Sequence, residues 1–181
     1  MVKSAYSFET KKEKIEHHII VVWVDNESGV LARVVGLFSG RGYNIDSLAV
    51  AEVDKKKNIS RITISTSGTE QVLQQIKLQL GKLVPVHKVA DFPANKKTLL
   101  REMALIKIVS QKTQLEKAKK ICKKYKHTII DKTQKSYVFE VSALKKEIDY
   151  LLKKLQPLGL ASVSRTGVVA MSKGSEIYKQ N

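Results

Sequence analysis

One succession of hydrophobic patterns occurs twice along these 181 residues, and no other feature narrows the fold as far. Ile19 to Val24 (IIVVWV) is a continuous apolar run, short enough for a strand buried on both faces. Val30, Leu31, Val34, Val35, Leu37 and Phe38 then mark one face of a helix that ends at Gly40 or Gly42. Two strands follow, Ile45 to Val53 and Ile59 to Ser65, joined by a Lys-rich hairpin turn from Lys55 to Asn58. Val72, Leu73, Ile76, Leu80 and Leu83 recur at helical spacing, and Val84 to Val89 closes the unit. Pro85, which has no N–H for a ladder, puts the start of that last strand at or near an edge.

The order then repeats. Met103 to Val109 reads as a strand, and Leu115, Ala118, Ile121, Cys122 and Tyr125 line a helix. Ile129 and Ile130 mark a second strand, and Tyr137, Phe139 and Val141 alternate in a third. Leu144, Ile148, Leu151, Leu152 and Leu155 form another helical stripe, ended by Pro157 and Gly159, before a final strand region from Leu160 to Met171. The expected class is α+β: two ferredoxin-like βαββαβ sandwiches in tandem. The division is a tail over 1–16, a first domain over 17–91, a linker over 92–101 and a second domain over 102–181. Each half of about 75 residues buries only a modest core. The sheet face opposite its helices needs cover, which predicts pairing with a second copy, a homodimer.

Composition excludes several alternatives. Hydrophobic residues make up 43% and charged residues 28%, the profile of a globular chain. No apolar run approaches the roughly 18 residues of a membrane span. Met1 to Glu16 lacks the apolar core of a secretory signal, and its acidic residues speak against a transit peptide. One cysteine, Cys122, permits no internal disulfide and predicts a cytoplasmic setting. The net charge of +16 raises a nucleic-acid reading. Apart from Arg33, Arg41, Arg61, Arg101 and Arg165 the basic residues are Lys, scattered as pairs such as Lys119-Lys120 and Lys153-Lys154. Aromatics are only 6% and do not interleave with them, whereas single-strand binding needs stacking platforms. The strand Ile59-Ser60-Arg61-Ile62-Thr63-Ile64 lacks the aromatics of an RNA-recognition motif. A solvated Lys-rich surface is the preferred reading, with a basic nucleic-acid-binding module as the alternative.

No catalytic constellation stands out. His17-His18 have no Cys, Asp or His at ligand spacing, and His87 and His127 sit alone, so all four read as surface histidines and no metal site is expected. Cys122 lies on the apolar stripe of its helix and reads as a buried small hydrophobe. There is no Gly-x-Ser-x-Gly, phosphate-binding loop or dinucleotide fingerprint.

The stretch "DNESGVL" (Asp25 to Leu31) carries more polar groups than a helix start requires. Read structurally, Asp25 or Asn26 ends a strand and Ser28 caps the helix. Read functionally, the helix N-terminus offers unpaired N–H groups to a carboxylate, Gly29 admits close backbone approach, and Asn26 can accept from an ammonium. Those are the two charged groups of an α-amino acid.

"NESGVLARVVGLFSGRGYNIDSLAVA" (Asn26 to Ala51) resembles the ACT domain of the small, regulatory subunits of acetolactate synthase (acetohydroxyacid synthase). "SRITI" (Ser60 to Ile64), "LREMALIKI" (Leu100 to Ile108) and "SRTGVVAMSKG" (Ser164 to Gly174) are similar to the same family, which more usually has Arg at the position of Lys173. The resemblance covers nearly the whole chain after about the first 16 residues. It implies a first domain that is an ACT domain and a chain that is not catalytic by itself. Its partner would be the large, catalytic subunit, which uses thiamine diphosphate with Mg²⁺ and FAD, this chain holding no cofactor. That subunit condenses two pyruvates, or pyruvate with 2-oxobutyrate, in valine, leucine and isoleucine synthesis. The small subunit would activate it and confer feedback inhibition by valine or another branched-chain amino acid. ACT pairing implies an effector site shared between protomers. Asn26, Gly29, Val30 and Leu31 of one would face Asn44 and Ile45 of the other, with Ala49, Val50 and Ala51 shaping an apolar pocket. An amino-acid-sensing ACT protein serving another enzyme is a further alternative.

Overall fold

The computed structural model describes residues 14–93 and 98–175. The first four strands form one antiparallel sheet in the order β2-β3-β1-β4. They are β1 (Glu16–Asp25), β2 (Ser47–Asp54), β3 (Ile59–Gly68) and β4 (Val86–Pro93), with α1 (Val30–Ser39) and α2 (Glu70–Leu80) on one face. The alternation of a strand divides IIVVWV between two cores. Ile20, Val22 and Val24 pack against Val34 and Phe38 of α1 and Leu73, Ile76 and Leu80 of α2. Ile19, Val21 and Trp23 face the other way and are also buried. α2 is conventionally capped, since Thr69 accepts the Val72 N–H and Glu70 sits in the first turn.

The second half repeats the arrangement with β5 (Thr98–Val109), α3 (Lys112–Cys122), β6 (Lys126–Lys132), β7 (Ser136–Ala143), α4 (Lys145–Leu155) and β8 (Leu160–Arg165). Its sheet order is β6-β7-β5-β8, the order of the first sheet carried over. Ala104, Ile106 and Ile108 of β5 meet Leu115 and Cys122 of α3 and Ile148, Leu151 and Leu155 of α4. After α4 a short 3₁₀ turn leads to Gly159 at φ 94°, where a Cβ would lie 2.4 Å from the Val109 carbonyl oxygen. Only glycine fits that return.

Three expectations need correction, and a fourth falls mostly outside the described residues. The linker expected over 92–101 is mostly strand: β4 continues to Pro93 and β5 begins at Thr98, and residues 94–97 lie outside the described ones. Of the tail over 1–16, residues 1–13 lie outside the described ones and Glu16 already opens β1. The strand expected from Val84 starts at Val86. Val84 is 96% exposed, and the Pro85 carbonyl instead accepts the Asp25 N–H at 2.9 Å. The last strand region divides at Gly167, φ 78°, into β8 and a separate β9 (Val169–Ser172).

That division supplies the cover assigned to a second copy. β5 is 12 residues long, and its first four residues pair with β9, Leu99 opposite Met171 and Arg101 opposite Val169. The inner side of this ribbon, Leu100, Val168 and Ala170, packs on Ile19, Val21, Trp23, Ala90 and Phe92. The chain covers its own first sheet over β1, β3 and β4.

Candidate functional site

β1 delivers Asp25 and Asn26 to one end of the first sheet, beside the turn between β2 and β3. Asn26 donates its N–H to the Asn58 carbonyl at 2.7 Å, and its Oδ1 accepts from Ser60 Oγ at 2.9 Å. Asn58 itself adopts φ 53°, a left-handed conformation that Asn tolerates. The capping residue of α1 is Gly29 at φ 82°, not Ser28, and no side chain satisfies the helix N-terminus. Its first turn also lacks an acidic residue, in contrast to α2. Uncapped N–H groups at the positive end of a helix dipole are suited to an anionic oxygen. Val30 is buried in the core, while Leu31, one residue on, is 40% exposed.

Asn44 and Ile45 lie elsewhere. Thr66 Oγ1 donates to the Asn44 carbonyl at 2.6 Å, and the Asn44 amide donates to Asp46 Oδ1 at 2.7 Å. Asp46 Oδ2 accepts from Ser67 Oγ at 2.8 Å, and the Asp46 N–H donates to the Ser65 carbonyl at 2.8 Å. Register fixes where this bracket sits. Ser47 pairs with Ser65, which pairs with Ile19, whereas Asp25 pairs with Ile59 at the far end. Six residue steps along β1 separate the two ends, about 20 Å at roughly 3.3 Å per residue. Asn26 and Asn44 of one protomer do not meet.

Ala49, Val50 and Ala51 do not share one face. Val50 pairs with Ile62 on the helix side, with Leu48 beside it, whereas Ala49 and Ala51 pair with Thr63 and Arg61 on the ribbon side. They belong to β2, the sheet's outer strand, where Val50 and Val53 remain 44% and 50% exposed. The structure thus brings Asn26, Gly29, Val30 and Leu31 together, groups Asn44 with Ile45, and splits the remaining three residues between two faces.

The histidines are better connected than isolated surface residues. His18 Nδ1 is 2.8 Å from Asp91 Oδ1, and Lys77 Nζ is 2.9 Å from Asp91 Oδ2. His87 Nε2 is 2.6 Å from Asp25 Oδ1. Among the described residues no group of three or more His, Cys, Asp or Glu is placed to hold a metal, and no helix is long and apolar enough to cross a membrane. Cys122 is fully buried, and burial pushes its thiol up to about 12. Tyr137 and Phe139 are 3% and 0% exposed and pack edge to face, so they offer no platform for bases.

Sequence reasoning missed an ion-pair cluster inside the second half, beside its contact with the first. Arg165 donates from Nε and Nη2 to the two oxygens of the buried Glu102, at 2.6 and 2.7 Å, and from Nη1 to Asp149 at 2.6 Å. A cleft of about 340 Å³ adjoins it, lined in part by Asp46, Ser47, Lys145 and Thr166. The available signal was the one acidic residue in the strand LREMALIKI and one of only a few arginines after it.

Comparison with known proteins agrees with this architecture. Residues 20–88 match the family model for the AHAS small subunit-like ACT domain, and residues 101–174 match that for the small subunit of acetolactate synthase. The chain is 40% identical to the acetolactate synthase isozyme 3 small subunit of Salmonella typhimurium, over 89% of this chain and 98% of that one. It is 35% identical to the acetolactate synthase small subunit of Aquifex aeolicus, over 95% of this chain and 89% of that one. The crystal structure of the acetolactate synthase small subunit from Thermotoga maritima superposes with a TM-score of 0.80 at 30% identity, covering 88% of this chain and 99% of that one. With two relatives so similar over nearly their full lengths, and both halves matched in order, the chain belongs to the family of acetolactate synthase small subunits.

Proposed function

We propose that this chain activates the thiamine-diphosphate-dependent catalytic subunit of acetolactate synthase and makes it sensitive to a branched-chain amino acid, valine foremost. The membership of the family supports the partner, and the partner brings the cofactors. One observation carries the effector reading: the two groups of candidate residues lie at opposite ends of one sheet, so a second copy is needed to bring them together.

In a homodimer the uncapped start of α1 in one protomer meets the Asn44 bracket of the other. The effector's carboxylate takes the N–H groups after Gly29, the Asn44 amide orients it, and its side chain lies against Leu31 and Val50. The second copy is not required to cover the sheet face over β1, β3 and β4, which the β5–β9 ribbon already buries. What it covers is the outer strand β2, whose open backbone edge and exposed Val50 and Val53 otherwise face water.

Light scattering and thermal unfolding of the purified chain test this together. The expected result is a dimer whose unfolding midpoint rises with valine, leucine or isoleucine and not with alanine or glutamate. A ligand present at a hundred times its dissociation constant adds roughly 2.7 kcal/mol to the folded state. A monomer indifferent to all three would remove the shared site.

A further inference from the structure

Ser47 opens β2 three residues after Asn44, and there the second half of the chain touches the first. The Val168 N–H donates to Ser47 Oγ at 3.3 Å. Gly167, at φ 78°, comes so close that a Cβ on it would stand 3.2 Å from Ser47 Cβ and 3.5 Å from the Leu48 carbonyl oxygen. A side chain at position 167 would press on Ser47, so glycine is what lets the loop pass here.

Bonds run onward from it in both directions. Toward the effector side, Asp46 precedes Ser47 and holds the Asn44 amide at 2.7 Å. Toward the second domain, Thr166 precedes Gly167 and is tied to β5, donating its N–H to the Met103 carbonyl at 3.1 Å and accepting the Met103 N–H at 3.2 Å. Arg165 comes next and grips Glu102 of β5 and Asp149 of α4. A second attachment fixes β9 in place: Arg61 of β3 donates to the Ala170 carbonyl, with its guanidinium 5.5 Å from the centre of the Trp23 ring.

We infer that the contact between Ser47 and Gly167-Val168 couples the effector site to the second domain; the inference rests on the effector site proposed above. An effector that draws on the Asn44 amide takes a donor away from Asp46 Oδ1. Asp46 must then re-pair, with Ser67 already bonded to its other oxygen. Any shift of Asp46 carries Ser47 with it. Because the Val168 N–H is bonded to Ser47 Oγ, the loop moves with Ser47, and Arg165 moves with the loop relative to α4. Close-packed contacts pass displacement on in this way because they repack between discrete arrangements. Ser47 is a positioning residue here and touches no effector atom.

The test uses the full chain as Ser47→Ala and, separately, Gly167→Ala. Each is examined by calorimetric titration of valine, leucine and isoleucine on the chain alone, and by inhibition of acetolactate formation in the enzyme reconstituted with the catalytic subunit. Ser47→Ala is expected to stay folded, with a somewhat lower unfolding midpoint for the lost Val168 bond, and to bind the effector within about twofold of wild type. Its residual rate at saturating effector should rise by at least about twofold, the lower bound for mutations along a coupling network. Gly167→Ala, if folded, should show the same separation of binding from inhibition. Unchanged inhibition in a folded Ser47→Ala overturns the coupling. So does a parallel loss of binding and inhibition, which would make Ser47 part of the effector site itself. A wild-type chain that binds none of the three amino acids removes the effector site first, a failure visible before any variant is made.

Discussion

Arg165 meets Glu102 through two parallel bonds, Nε to Oε1 at 2.6 Å and Nη2 to Oε2 at 2.7 Å, with Glu102 only 3% exposed. Those bonds, with the one to Asp149, hold the Arg165 guanidinium well above its ordinary pKa. Removing one partner of a buried pair leaves the other charge uncompensated, which costs more than the pair contributes. Arg165→Ala should therefore lower stability by roughly 3 kcal/mol, the low end of that range, because the Arg165 side chain is 28% exposed. Arg165→Lys should recover only part of it, since an ammonium cannot reproduce the two-point geometry. Urea midpoints of the full-length variants measure this, and an Arg165→Ala midpoint equal to wild type would refute the role.

Gly29 permits a cleaner substitution than a single charged variant. At φ 82° any side chain is strained, by about 1–2 kcal/mol for Ala, with Asn and Asp tolerated best. A Cβ there meets no atom within 4 Å, so the space is open. Asp and Asn are alike in shape and backbone preference and differ in charge. Gly29→Asp should activate the catalytic subunit and ignore valine, because its carboxylate competes for the N–H groups of α1. Gly29→Asn should activate and remain inhibited. Equal inhibition curves for the two variants would show that no anionic group of the effector binds at this helix.

Asn44→Ala removes the amide that meets Asp46 and, in the proposed dimer, the effector. Both Asn44 and its bond to Asp46 are exposed, so stability should fall by less than about 1 kcal/mol. A hydrogen bond to a charged group contributes about 1.5–3 kcal/mol, so inhibition should weaken roughly ten- to a hundredfold while activation is kept. An unchanged inhibition constant would leave Asn44 as a turn residue.

Cys122 gives a pH-dependent prediction. Its thiol stands at about 12 in the folded chain because burial disfavours the thiolate, against an ordinary value near 9.0. The unfolded chain loses that proton first, so the contribution to stability is whole below about pH 9 and is lost as pH rises toward 12. Iodoacetamide at pH 8 should label the native chain many times more slowly than the chain in denaturant. Comparable labelling rates would show that α3 does not enclose the thiol.

The repeated βαββαβ order was readable because each element shows its own period and each half shows the same succession. IIVVWV even announced burial on both faces, although not what would cover the second. The ribbon stayed hidden because Thr98 to Arg101 fell in the expected linker, and no local signal marks where the pairing of β5 passes from β9 to β7 and β8. Glycines read correctly as punctuation but not in detail: Gly40 caps α1, while Gly29 displaced Ser28 as the residue at its start. For the site, residue chemistry reached as far as an amino-acid-shaped set of groups at α1. That Asn26 and Asn44 lie at opposite ends of the sheet is a matter of register across three strands, which local pattern does not encode.

The central claim is that this chain both raises and restrains acetolactate formation, and one titration addresses it. The catalytic subunit, supplied with pyruvate, thiamine diphosphate, Mg²⁺ and FAD, is assayed alone, then with increasing amounts of this chain, then with valine, leucine or isoleucine added. The predicted result is a rate that climbs to a plateau with the chain and falls when valine or another of the three is added, with no turnover by the chain alone. A rate indifferent to the chain, or a raised rate that none of the three amino acids lowers, would contradict the account.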